Sequence, residues 1–233
     1  MIDNTSLLYA FGVWINGDNT YHGSDPNIET VKIPGRNGDL IYSNRRYNNF
    51  TLTYKCAMPR KFEENFPALR AFLYSNVGYR IIEDSYFPDM VRLGRITGKI
   101  DPQKIAWNSS AALFNMSFDC KPQHYYKSGL EKIDFTADDV IVNPTLFDAQ
   151  PMLRVTGYGD FTLNGITVTI DAHNYPYTDI DCEIQDGYYE NVNLNRYITI
   201  SGDNFPVLSP GNNELVFGDG ITEVEVIPRY WTL

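Results

Sequence analysis

Cysteine and histidine are scarce. A chain of 233 residues holds only Cys56, Cys120 and Cys182, and only His22, His124 and His173. The cysteines are odd in number and widely spaced, with no C-x-x-C pair. This excludes a zinc-ribbon ligand set and a disulfide framework and predicts buried thiols. No apolar run approaches the ~18 residues of a membrane-crossing helix. The start, Met1-Ile2-Asp3-Asn4, carries an acid and no basic stretch, so a secretory leader is not expected. The phosphate-cradling G-x-x-x-x-G-K-[ST], the dinucleotide G-x-G-x-x-G and the nucleophile elbow G-x-S-x-G are all missing. Basic charge is thin in the second half. Residues 1–128 hold 15 Lys/Arg against 12 Asp/Glu, whereas residues 129–233 hold 4 against 17. Two modules with different neighbours are implied. Neither has the clustered Lys/Arg stripe of a phosphate-backbone binder, so no specific nucleic-acid binding is expected.

What is abundant is aromatic and turn chemistry: 17 Tyr, 13 Phe, 17 Gly and 13 Pro. Aromatic strands cut by frequent turns predict a mainly β fold. Leu7–Ile15 reads as a first extended element closed by the hairpin turn Asn16-Gly17. Ile28–Pro34 follows, and then the loop Pro34-Gly35-Arg36-Asn37-Gly38-Asp39. Phe50, Leu52, Tyr54 and Cys56 alternate with polar residues, as do Ala112, Phe114, Met116, Phe118 and Cys120. Both segments predict strands with one buried face. Pro122 should end the second. One substantial helix is predicted near residues 63–76, with Pro67 in its first turn and Leu69, Phe72 and Leu73 on its apolar stripe. Shorter strands are predicted at 79–82 and 90–100. Residues 129–150 read as a connector. Beyond Pro151 only short strands and turns recur, including a hairpin at 161–170 around Asn164-Gly165, as in a β-sandwich.

Candidate chemistry is sparse. Asp179, Asp181 and Glu183 alternate along a strand, and carboxylate pairs serve glycosidases. The complete alternation with Ile180, Cys182 and Ile184 instead predicts a solvated outer face. Calcium held by Asp179, Asp181 or Asp186 lacks the EF-hand spacing. Tyr175, Tyr177, Tyr188 and Tyr189 are candidates for stacking on sugar rings, although Tyr is common on strands for packing reasons. No catalytic, cofactor-binding or metal-ligating residue is therefore assigned.

The loop Ile33-Pro34-Gly35-Arg36-Asn37-Gly38-Asp39-Leu40 and the downstream Phe118-Asp-Cys120-Lys-Pro122-Gln-His-Tyr125 together resemble the distal tail protein family of long-tailed, siphovirus-type bacteriophages. Ile180-Asp-Cys-Glu183 ahead of Tyr188-Tyr189 resembles that family too, as does the ending Phe205-Pro206-x-Leu208-x-Pro210-Gly211-x-Asn213. The order and spacing of these segments over nearly the whole chain carry the resemblance. It implies a ring-forming β domain with one helix over residues 1–128, a connector at 129–150 and a galectin-like β-sandwich over 151–233. It further implies a non-enzymatic virion protein, assembled in the bacterial cytoplasm, that forms a homohexameric hub with a channel for DNA at the tail tip. The implied partners are further copies of the chain, the tail tube protein, the tape measure protein, the tail-associated tip protein and receptor-binding or baseplate components, with no membrane and no cofactor. The first hairpin near Asn16-Gly17 and the segment 28–50 are the candidate contacts between copies, with Asn16, Gly17, Pro34, Gly35, Arg36, Gly38 and Asp39 the residues singled out in them. The alternative is a free-standing carbohydrate-binding sandwich engaging cell-wall glycans.

Overall fold

A computed structural model describes residues 1–16, 22–106 and 110–233. The chain divides into two compact units, Met1–His124 with Leu233, and Tyr125–Thr232.

In the first unit the strand Phe50–Met58 pairs antiparallel with Ala112–Tyr126, from Phe50 opposite Cys120 to Met58 opposite Ala112. Trp14–Asn16 lies outside Phe50–Met58, and Met90–Thr97 then Arg80–Ile82 lie beyond the long strand. Alternation does what the sequence predicts. Phe50, Leu52, Tyr54, Cys56 and Met58 are buried, as are Phe114, Met116, Phe118 and Cys120. The helix Phe62–Tyr74 closes this face with Phe66, Leu69 and Leu73. The Phe66 ring meets Phe114 edge-on at 5.7 Å.

Three local expectations are corrected. The helix begins at Phe62, so Pro67 sits inside it rather than in its first turn, and the carbonyl of Glu63 loses its helical donor. Acids at Glu63 and Glu64 favour the helix start, which has no side-chain cap. Leu7–Phe11 is a single helical turn, not an extended segment. Ser6 Oγ accepts the Tyr9 N–H, and Gly12 closes the turn in the left-handed region with φ 71°. Only Trp14–Asn16 of that stretch is a strand, and Gly17 lies outside the described residues. The long strand also runs through Pro122 to Tyr126. Its last pair with Phe50–Met58 is at Cys120, so the missing N–H costs no bond on that side.

A polar cluster is buried beside this core. Asp84 Oδ2 accepts the Tyr54 hydroxyl and Arg92 Nη1, each at 2.6 Å, while Oδ1 accepts the N–H groups of Tyr86 and Phe87. Burial alone would raise the Asp84 carboxyl; these donors outweigh it and hold it below its ordinary value. Next to it His124 packs against Phe50 and Phe87 at ring distances of 5.4 and 6.4 Å. Burial, reinforced by Arg92, lowers its pKa to about 4.

The second unit is a pair of antiparallel sheets sharing one core. The five-stranded sheet runs in the order Asp139–Asn143, Gly211–Phe217, Gly159–Leu163, Ile166–Ile170, Ile198–Ile200. The six-stranded sheet runs Val192–Asn193, Asp186–Tyr189, Tyr177–Asp181, Met152–Gly157, Ile221–Ile227, Ile133–Phe135. Leu153, Val155, Phe161, Leu163, Val168, Ile170, Ile180, Leu215, Val224 and Val226 fill the space between them. The expected 161–170 hairpin is present, with Asn164 and Gly165 at φ 51° and 79° in its two-residue turn. The stretch read as a connector instead supplies an outer strand to each sheet, Ile133–Phe135 and Asp139–Asn143. Both strands are short and mostly exposed, so their apolar signal is weak.

At one end of the sandwich two backbones cross almost without side chains. A Cβ on Gly157 would lie 2.2 Å from the Gly220 carbonyl oxygen, one on Gly159 2.0 Å from that of Asp219, and one on Gly218 2.4 Å from that of Asp160.

Two outcomes follow from this packing. The folded chain keeps His124 neutral down to about pH 4, whereas an unfolded chain protonates it near 6.5. Acidification across that window therefore favours unfolding, by up to on the order of 3 kcal/mol. Urea unfolding of the full chain at a series of pH values is expected to show this loss, and His124→Gln is expected to flatten it. Gly159→Ala, facing carbonyl oxygen at φ 131°, is expected to cost roughly 3 kcal/mol or more. Gly202→Ala, with open space around it, is expected to change the melting temperature little.

Candidate interaction surface

The strands Pro26–Val31 and Leu40–Tyr47 form a separate two-stranded sheet, an arm that pairs with no other strand among the described residues. Its base is fixed by Asn48, whose N–H donates to the Asp25 carbonyl at 3.0 Å and whose side chain accepts from Asn27 Nδ2 at 2.9 Å. Ser24 Oγ donates to the Asn48 carbonyl. Near the base the register slips between Pro26 and Ile28, and Arg45 takes φ 59° in the bulge.

Cross-strand pairing sorts the arm's side chains. Ile28 with Ser43 and Thr30 with Ile41 share one face; Glu29 with Tyr42 and Val31 with Leu40 share the other. Ile41 and Tyr42 are each 64% exposed, and Ile28, Val31 and Leu40 are nearly half exposed. A hairpin of this size is at best marginally stable alone, and this one carries apolar side chains on both faces. All five lie in the segment 28–50 expected to make contacts between copies, although the residues singled out within it were those of the loop. The signal was present: Leu40-Ile41-Tyr42 is a consecutive apolar run without alternation, the mark of a strand covered on both sides.

Five of the seven candidate contact residues lie together at the arm's tip. The Arg36 N–H donates to the Ile33 carbonyl at 3.2 Å across Pro34-Gly35, with Gly35 at φ 80°. Pro34 and Gly35 thus hold the two central positions of a turn of the kind that needs a left-handed third residue. Gly38, at φ 82°, makes the return, and Arg36 and Asp39 are exposed. Asn16 ends a strand elsewhere in the first unit, opposite Lys55, and Gly17 lies outside the described residues. The structure therefore does not bring Asn16 into the arm's sheet.

The carboxylates considered for catalysis are structural. Asp179 and Asp181 are not on a solvated face; they are 4% and 9% exposed. Arg154, directly across on the neighbouring strand, grips Asp179 with Nε and Nη2 at 2.7 and 2.9 Å. The same guanidinium stacks 4.2 Å above the Tyr177 ring. Arg229 grips Asp181 in the same forked way, at 2.7 and 2.9 Å, and reaches Glu183 at 3.5 Å. Burial works against ionised Asp181, but Arg229 and the N–H groups of Glu183 and Ile184 overcome it and keep its pKa low. A glycosidase acid needs the opposite, a carboxyl raised toward neutrality. Ile184, expected inside, is 64% exposed.

No calcium set forms from Asp179, Asp181 and Asp186 either, because Asp186 accepts the amides of Asn193 and Asn195. Among the described residues Asp134, Glu223 and Glu225 bring carboxylate oxygens within 4.8 Å of one another. Lys132 already sits on Glu225 at 3.0 Å and Asp134 at 3.3 Å. Tyr175 and Tyr177 both pack on Tyr189, at 5.4 and 4.8 Å, and Tyr188 points its hydroxyl at the Met152 sulfur. These half-buried tyrosines pack on their neighbours rather than form an open platform. Each histidine has a separate setting: His124 packs on Phe50 and Phe87 beside the first core, His173 pairs with Asp171, and His22 is exposed. Burial lifts all three thiols to about 12, so they are inert hydrophobes.

No family model and no curated protein matches the chain. Solved structures do. A chain from the phage P2 baseplate in its activated conformation with calcium aligns with TM-score 0.54 at 10% identity, over 92% of this chain and 89% of that one. The strontium form of that baseplate gives TM-score 0.53 at 10% identity, over 91% and 90%. The Dit protein of phage SPP1, described as a paradigm of the hub adsorption apparatus in phages infecting Gram-positive bacteria, aligns with TM-score 0.73 at 14% identity, over 97% of this chain and 96% of that one. At these identities the likeness is one of fold, and the fold of this chain, end to end, is that of a phage tail hub protein.

Proposed function

We propose that this chain is a structural component of a siphovirus-type tail tip, a hub on which the adsorption apparatus is built. The observation that carries the reading is the whole-length agreement with SPP1 Dit, which spans both units rather than a shared sandwich alone. The forked pairing of Asp179 and Asp181 with arginines supports a role without catalysis.

In this reading copies of the first unit close into a homohexameric ring with a channel for DNA, and the second unit, galectin-like in architecture, stands outside it. The arm is the contact between copies. A cyclic assembly needs a head-to-tail interface, one patch meeting a different patch on the neighbour. An exposed hairpin with free edges and two apolar faces is suited to that. Pro34, Gly35, Arg36, Gly38 and Asp39 set the shape of its tip, and Asn16 and Gly17 remain candidates in a second contact. The tail tube, tape measure, tip and receptor-binding proteins are the partners expected on the faces of the ring. The acidic second unit keeps the assembly soluble and faces protein partners.

Light scattering coupled to size exclusion tests this directly. The full chain is expected at six times its 26.7 kDa mass; a chain that stays monomeric across the accessible concentration range overturns the hub. The double variant Ile41→Asp, Tyr42→Asp is expected to fall to the monomer with an unchanged melting temperature. A hexamer that survives those two substitutions removes the arm from the interface. The purified ring is expected not to retain duplex DNA at moderate salt.

A further inference from the structure

The chain contains three Asn-Gly pairs, Asn16-Gly17, Asn37-Gly38 and Asn164-Gly165. The first lies partly outside the described residues. The other two occupy contrasting environments, and this contrast has a chemical consequence. In an Asn-Gly pair the glycine amide nitrogen can reach the side-chain carbonyl carbon of the asparagine, because no Cβ on the glycine blocks its approach. What then decides the outcome is whether the fold leaves the carboxamide and the following peptide free to meet.

At Asn164 the fold prevents this. Its Nδ2 donates to the Val207 carbonyl and to Ser209 Oγ, both at 3.2 Å, and its own N–H donates to the Glu214 carbonyl at 2.9 Å. The hairpin pairs Leu163 with Ile166 on either side of the turn. At Asn37 nothing comparable holds the group. Asn37 and Gly38 are exposed, in the turn between the two strands of the arm. Among the described residues the Asn37 carboxamide has no hydrogen-bond partner. A Cβ built on Gly38 finds nothing within 4 Å, so the space around the Gly38 peptide is open.

We propose that Asn37 is a site of spontaneous, fold-selected deamidation, with Asn164 its protected counterpart in the same chain. The Gly38 amide nitrogen, giving up its proton to solvent base, attacks Cγ of Asn37. An N–Cγ bond forms, the Cγ–Nδ2 bond breaks, and ammonia leaves, so that a five-membered succinimide closes. Water then opens the ring at either carbonyl. Opening at one returns a normal peptide bond with aspartate at position 37; opening at the other gives isoaspartate, with the main chain routed through the former side chain. No oxidant or reductant is involved, and water is the sole co-reactant. Either product adds a carboxylate between Arg36 and Asp39, and isoaspartate also lengthens the backbone of the tip by one carbon. Asparagine is among the thermolabile residues that heat-adapted proteins avoid; here the arrangement of partners, rather than the dipeptide, selects which copy reacts.

The experiment ages the full chain, both as it elutes and as the Ile41→Asp, Tyr42→Asp variant expected to be monomeric, in mildly alkaline buffer. Peptide mapping by mass spectrometry then follows each Asn-Gly pair separately, with enzymatic methylation of isoaspartate as a second readout. The same chain in concentrated urea, where the two pairs lose their folded surroundings, gives the reference ratio. Asn37 is expected to convert at least about tenfold faster than Asn164 in the folded chain, since two side-chain hydrogen bonds must be broken at Asn164 first. In urea the two rates are expected to approach one another. Ser209→Ala, which removes one of the two acceptors, is expected to raise the Asn164 rate in the folded chain and leave that of Asn37 unchanged. A folded-state ratio no larger than the ratio in urea overturns the proposal, as does an Asn37 peptide that stays intact in the folded monomer while it converts in urea.

Discussion

A sheet that keeps one wet face can hide only every second residue, and the main sheets of this protein are organised by that constraint. In the first unit it is met by Phe50–Met58 and the strand beside it, whose inward residues are covered by the apolar stripe of one helix. In the second unit the two sheets cover each other. Each remaining feature is then placed by what the covered face cannot accept. Buried carboxylates appear with arginine partners, Asp179 and Asp181 in forked pairs and Asp84 beside Arg92 and the Tyr54 hydroxyl, because the desolvation of a lone carboxylate would cost more than the fold can return. Backbone that must cross closely does so through glycine.

The arm stands outside this rule. Both of its faces carry apolar residues, and among the described residues these side chains stay nearly half exposed or more. Exposed apolar patches of this kind are common at contacts with other molecules. The same elements that make the rest of the chain self-sufficient, alternation and a covering layer, are the ones the arm lacks. This is why the assembly reading rests on the arm rather than on the better-formed sandwich.

Much of the architecture was legible in the sequence, and the failures have identifiable causes. Strict alternation at 50–56 and 112–120 located the first core, because period-two burial leaves a direct imprint. Asn164-Gly165 located its hairpin, because few residue pairs take positive φ twice. The burial of Asp179 and Asp181 was not legible. Alternation correctly placed them on the outer face of their strand, but what covers them is Arg154 and Arg229, whose positions opposite depend on strand register and on the path of the chain near Arg229. The strands at 133–135 and 139–143 were missed since outer strands bury little and so alternate weakly. Of the candidate contacts, the tip residues were visible as turn chemistry. The apolar faces behind them fall within the candidate segment 28–50 but were not assigned residue by residue, because the run Leu40-Ile41-Tyr42 does not alternate and so marks no single face.

The crossing at Gly157, Gly159, Gly218 and Gly220 has a bearing on how such a chain can change over generations. Each of two neighbouring segments excludes side chains from the other: Gly220 would meet the Tyr158 carbonyl, just as Gly157 meets that of Gly220. No single replacement relieves the crowding, because the opposing atom in each case is backbone and cannot rotate away. Divergence at this corner is therefore expected to occur in blocks, with both segments lengthening or re-routing together. Two chains of this fold would then share the same sheets and register while aligning poorly here.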